Sequence, residues 1–192
     1  MSNWKQRLTQ DLEPILRETD PRPRLSAYHN MPYAIFRYPP DSEFALRGEI
    51  TLLRTRLEQI GKRVTTISLA VCLDMALERA GLTAKRIDMA EKRTGTHKMV
   101  DTLHKVLADR QPLDVLVAEL LPEHPDPLVD IVFITRAGAL FPFYRTSSLL
   151  EQLTDRVATP AILFYPGDLD GAAGLRFMSV LDAEHNYRPK IF

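Results

Sequence analysis

An α/β fold is what this 192-residue sequence predicts: one domain with a mostly parallel central sheet of about five strands flanked by helices. Three observations lead there. The runs Ile131-Val132-Phe133-Ile134 and Ala161-Ile162-Leu163-Phe164 are apolar without alternation, as strands covered on both faces must be. Segments with apolar residues at helical spacing lie between the strand candidates, and alternating strands and helices form right-handed crossovers that sandwich the sheet. Finally, 45% hydrophobic and 26% charged residues suit a globular chain, and this length supports one core rather than two.

From the amino terminus, Trp4, Leu8, Leu12, Ile15 and Leu16 recur at helical spacing, interrupted by Pro14, which predicts a kink or two short helices. The Pro- and Arg-rich stretch from Asp20 to Pro32 predicts an extended connector, so residues 1–32 form an amino-terminal arm. Tyr33-Ala34-Ile35-Phe36 is a short strand stopped by Pro39-Pro40, after which Asp41 or Ser42 is placed to cap a helix. That helix carries the stripe Leu46, Ile50, Leu53, Leu57 and Ile60, and Gly61 closes it. Val64 to Leu69 is the next strand, and Ala70 to Ala80 a helix ended by Gly81. Residues 87–124 are a helical insertion, broken near Gly95 and including an amphipathic helix from Leu113 to Leu121. The two apolar runs supply the third and fourth strands, with a helix from Ser147 to Arg156 between them, and Leu175 to Leu181 supplies a fifth.

Composition narrows the chemistry. The net charge of zero argues against a surface devoted to nucleic acid or anionic lipid. The charge is graded: 11 basic against 8 acidic residues in 1–63, 8 against 6 in 64–110, and 6 against 11 in 111–192. Cys72 is alone and suggests a reducing compartment. With no export signal in Met1 to Gln10 and no long apolar window, the expected location is cytoplasmic.

The strand–loop–helix at Tyr33 to Gly61 occupies the place of a phosphate-binding loop, so the topology is P-loop-like. The connection Arg37-Tyr38-Pro39-Pro40-Asp41-Ser42-Glu43 has no glycine, lacks two amide donors and carries two carboxylates, so the phosphate-binding loop itself is absent. No carboxylate follows Ile134 to hold magnesium. The five histidines form no metal-binding pattern, and Asp168 with Asp170 offers too few oxygens for calcium, which leaves a turn role. Ser147 and Ser148 are accounted for as helix-capping residues.

What remains is the carboxyl edge of the sheet, where ligands and partners of such folds bind. The apolar runs there end in Thr135-Arg136-Ala137-Gly138 and Tyr165-Pro166-Gly167-Asp168, which read as polar turns. Arg136, Arg145 and Arg176 adjoin apolar segments, so each needs either an internal carboxylate or an acidic surface to meet. Tyr144, Tyr165 and Tyr187 accompany them, as does Arg188, and Tyr with Arg is the mixture enriched in interface hot spots. These seven residues are the candidate interaction surface.

The ordered segments Phe36-Arg37-Tyr38, Glu43-Phe44-Ala45-Leu46-Arg47, Arg136 through Arg145, Thr159 through Gly167, Gly174-Leu175-Arg176-Phe177-Met178 and Asn186 through Phe192 carry a family likeness. In them the chain resembles BrxB, a small component of the BREX (bacteriophage exclusion) defence systems. The resemblance implies a non-catalytic accessory or scaffolding subunit, without cofactor or metal, needed for host DNA methylation and phage exclusion. It implies other BREX proteins as partners, with the alkaline-phosphatase-like component PglZ the first choice. Two other readings stand beside it: a nucleotide sensor or enzyme using Arg136 and Arg176, and a DNA-binding accessory protein relying on Arg22 and Arg24.

Overall fold

The computed structural model describes residues 3–26, 32–154, 156–171, 174–185 and 189–192, apart from the side chain of Ser147. Its centre is a parallel sheet of five strands in the order β2 (Arg63–Ser68), β3 (Asp130–Thr135), β4 (Ala161–Asp170), β1 (Tyr33–Tyr38) and β6 (Lys190–Ile191). A further strand, β5 (Gly174–Phe177), pairs antiparallel with the far half of β4. The register sets Tyr33 beside Ala161, Val132 beside Ala161, Val64 beside Ile131 and Ala34 beside Lys190.

Successive side chains of a strand point to opposite faces, and this separates two cores. Ala34, Phe36, Ile131, Phe133, Ile162 and Phe164 face one side, Tyr33, Ile35, Val132, Ile134, Leu163 and Tyr165 the other. Every residue of β3 is buried, as its unalternated apolar run requires. The first side is covered by the amino-terminal helical run and by α4 (Glu43–Glu58). The second is covered by α5 (Leu69–Arg79), by helical segments within 106–119 including α8 (Leu113–Glu119), and by α9 (Thr146–Gln152).

Pro14 does not break its helix. Between α1 (Trp4–Gln6) and α2 (Glu13–Leu16) the backbone widens into a π-helical stretch, Arg7–Leu12, and the Glu13 amide bonds back to Leu8. This spacing accommodates a residue that lacks an amide donor and whose ring crowds the preceding turn. Trp4, Leu8, Leu12, Ile15 and Leu16 are consequently all buried. The expected extended connector is also partly helical: Arg22–Leu25 forms α3, with Pro21 as its N-cap. The Asp20 carboxylate accepts from the Arg22 amide at 3.1 Å, and Pro23 sits in the first turn, where no intrahelical donor is required.

Neither Asp41 nor Ser42 caps α4 through its side chain; a single 3₁₀ turn, Pro40–Ser42, leads into the helix. Leu46, Ile50, Leu53 and Leu57 are buried, whereas Ile60 is 43% exposed. The left-handed Gly61 (φ 87°) turns the chain away before Ile60 can join the stripe, its amide bonding Glu58 and that of Lys62 bonding Leu57. Beyond α5 the chain forms α6 (Ala84–Thr94) and α7 (Thr96–Lys105), with Gly95 (φ 88°) between them.

The polar turn expected at Tyr165 to Asp168 is strand. Tyr165 and Pro166 pair with Arg37 and Tyr38 of β1, and Gly167 to Asp170 pair with β5. Tertiary packing overrides the Pro-Gly signal: Tyr165 is buried against Phe177, with ring centroids 5.4 Å apart, and the Arg176 carbonyl occupies the space that a Cβ at Gly167 would need. The strand expected from Leu175 to Leu181 stops at Phe177, because Met178 and Ser179 take left-handed backbone (φ 54° and 60°) that cannot continue a strand. The last helix is shorter than expected. It begins at Thr146 with no side-chain cap, and Ser148 is exposed.

Candidate functional site

β1, β2 and β3 end together on one side of the sheet, and two small cavities open there. One, of about 280 Å³, is lined by the buried Tyr38, Leu46, Ile50, Thr135 and Phe164 and by the exposed Thr66. The other, of about 270 Å³, lies against Pro40, Gly138, Pro166 and Met178. Glu43, Arg47 and Arg136 line both.

These three charged residues differ in how they are held. The Tyr38 hydroxyl donates to the Glu43 carboxylate, whose other oxygen accepts from Arg47 Nε at 2.9 Å. Burial and the neighbouring Glu43 push the Tyr38 phenol well above its usual range, so it stays a donor. The Arg47 guanidinium also lies 5.0 Å over the Phe44 ring. Phe44 itself is 80% exposed, on the side of α4 opposite the buried stripe. Arg136 stands at the end of β3 in left-handed backbone (φ 60°), exposed and without an ion-pair partner among the described residues. A left-handed non-glycine residue costs of order 1–3 kcal/mol, and such residues concentrate at functional sites. Arg136 and Met178, two of the three among the described residues, border the same cavity.

The other residues singled out in the sequence are not gathered around Arg136. Arg145 bonds Glu184 at 2.7 Å. Arg176 faces Asp170 at 3.9 Å on the β4–β5 hairpin. Both are therefore cases of internal pairing. Tyr144 is 3% exposed and donates to Gln152 Oε1 at 3.1 Å, and burial pushes its phenol up to about 12. Tyr165 is fully buried. Both tyrosines thus support the edge from within the core instead of presenting a surface. Tyr187 and Arg188 lie outside the described residues.

Phe44 and the Tyr38–Glu43–Arg47 network were not among the residues singled out. Their signal was present: Glu43 and Arg47 are four apart, and Phe44 is the one large apolar residue off the α4 stripe in its first turn. Elsewhere, the Cys72 thiol is buried and desolvation pushes it up to about 11, an environment opposite to that of a reactive thiolate. Among the described residues no group of three or more His, Cys, Asp or Glu is placed to hold a metal ion, and no helix is long and apolar enough to cross a membrane. Arg22 and Arg24, the basic pair of the arm, are taken up by Asp20 at 2.8 Å and Glu18 at 3.2 Å.

Comparison with known proteins places this geometry in context. Residues 65–191 match the family model described as "BREX protein BrxB". A "BREX protein BrxB" of Bacillus cereus (strain H3081.97) is 30% identical over 158 residues, which cover 81% of this chain and 80% of the relative. No solved structure matches.

Proposed function

The chain belongs to the BrxB family of BREX phage-defence proteins, and from that premise we propose that it is a non-catalytic accessory subunit. Its role is to assemble with other BREX proteins in host DNA methylation and phage exclusion, and the phosphatase-like PglZ is its first-choice direct partner. The observation that carries the reading is the carboxyl edge of the sheet. An aromatic ring left almost wholly in water, an arginine stacked on it and a second arginine with no ion-pair partner among the described residues are residue types enriched at interfaces. Two small adjacent cavities give a partner side chain somewhere to insert. A typical stable interface buries about 1,600 Å², so the docking surface extends beyond this edge.

The test is co-purification of the tagged chain with each BREX component expressed in turn, with complex mass measured by light scattering. A complex that contains PglZ and is lost on Arg136→Glu, with thermal stability retained, supports the proposal. Capture of none of the components, or a complex indifferent to Arg136→Glu and Phe44→Ala, would count against it. Arg136, with no ion-pair partner among the described residues, also suits an anion, which keeps the nucleotide-sensor reading in view. ATP binding abolished by Arg136→Gln, with no protein partner captured, is the result that would favour it.

A further inference from the structure

A larger cavity lies elsewhere, and it shares no lining residue with the two at the carboxyl edge. It is an open cleft of about 740 Å³ between the amino-terminal helical run and the β6 edge of the sheet, within the range of small-molecule sites. Four cations line it: Arg7 from the π-helical stretch, Arg24 from α3, Arg37 from β1 and Lys190 from β6. The side-chain carboxylates that line it are Asp11 and Glu18, and Glu18 is engaged by Arg24 at 3.2 Å.

Arg7 and Arg37 make the imbalance local. Arg7 Nη2 donates to the Arg37 carbonyl at 2.9 Å, and its guanidinium lies 5.4 Å over the Phe36 ring. Among the described residues its buried Nη1 has no acceptor and no carboxylate forms an ion pair with it. The half-buried Arg37 side chain has no hydrogen bond or ion pair among the described residues, and its charge acts unfavourably on Arg7. Two like charges held together in a partly desolvated place are stabilised by an anion between them, and guanidinium forks match phosphate oxygens two at a time. Apolar walls from Ile15, Leu169 and Phe192 complete the cavity and offer a face for a flat ring.

We infer that this cavity is a ligand site for a phosphorylated small molecule of nucleotide size, its phosphate held by Arg7 and Arg37. Lys190, which sits 4.6 Å over the Phe192 ring and donates to the Arg24 carbonyl at 3.5 Å, is the third cation within reach of an extended phosphate chain. The site does not depend on the subunit role proposed above.

Isothermal titration of the full chain with inorganic pyrophosphate, ATP and a short 5′-phosphorylated single strand of DNA separates the sources of phosphate. Saturable binding of pyrophosphate and ATP at a single site, weakened at least about tenfold by Arg37→Gln, is the expected result. Arg7→Gln should act in the same direction. Arg37→Gln is the more telling variant, because it removes a side chain with no hydrogen bond or ion pair among the described residues. No saturation at several millimolar ligand would overturn the inference. So would binding of DNA alone, or binding lost on Arg136→Gln and retained in Arg37→Gln.

Discussion

Replacing Phe44 by alanine separates a residue that serves the fold from one that serves a partner. A buried aromatic side chain removes about 150–250 Å² from water, so a Phe44 that is 80% exposed still offers about 160 Å² to a partner. At about 25 cal/mol per Å² this sets a ceiling of about 4 kcal/mol. Ordering of the interface takes part of that back, leaving about 2–3 kcal/mol, or a roughly 30- to 150-fold weaker complex when the ring is removed. In the free chain the ring's recorded contact is the Arg47 guanidinium 5.0 Å away, worth about 0.5–1 kcal/mol at an exposed site. The melting temperature of Phe44→Ala should therefore fall by no more than about 4 °C. Thermal denaturation of the free variant and titration against the captured BREX component measure the two quantities separately. A much larger drop in melting temperature would show that the ring is packed in solution, and an affinity unchanged within about twofold would remove this edge from the interface.

Gly167→Ala would place a Cβ 2.2 Å from the Arg176 carbonyl oxygen and 2.7 Å from the Tyr165 ring, so β4 and β5 must part. A loss of about 3 kcal/mol or more in a denaturant titration is expected, and an unchanged midpoint would contradict the hairpin. The Asp130 carboxyl is held below the usual carboxylate range, first by hydrogen bonds from Arg63 at 2.7 and 2.8 Å and then by the Asp126 amide at 2.7 Å. Because its folded pKa is depressed, its contribution is fully present above about pH 4 and is lost as the pH falls through the folded value. Urea unfolding followed from neutral to acid pH should show a shallower acid decline in Asp130→Asn than in the parent chain; equal slopes would refute the linkage. Cys72 is fully buried with a thiol raised to about 11, so a thiol reagent at pH 8 should label the native chain only on the timescale of unfolding. Labelling as fast as that of a denatured sample would show an accessible thiol.

Much of the architecture could be read from short-range signals. The unalternated runs at Ile131 and Ala161 are buried parallel strands, and the stripe Leu46 to Leu57 is the buried face of α4. Gly61 and Gly81 both take the left-handed backbone that ends a helix. Apolar periodicity and cap chemistry act over a few residues, so they survive in the sequence. The same local rules misread Pro166-Gly167, where a buried tyrosine overrules the turn that the dipeptide favours by itself, while Pro14 is taken up by a π-helical stretch between two short helices.

Only the tertiary structure decided which charges remain free. Arg136, Arg145 and Arg176 look alike beside their apolar runs, yet Arg145 meets Glu184 across 39 residues while Arg136 meets no carboxylate among the described residues. In the same way Lys190-Ile191 becomes a strand only because β1, more than 150 residues earlier, offers an unpaired edge. Composition and periodicity therefore determined the layers of this protein. Strand order, the β6 pairing and the exposed Phe44–Arg47–Arg136 edge were decided by contacts through space, since whether a charge is paired or a ring is covered depends on neighbours that no local stretch of chain contains.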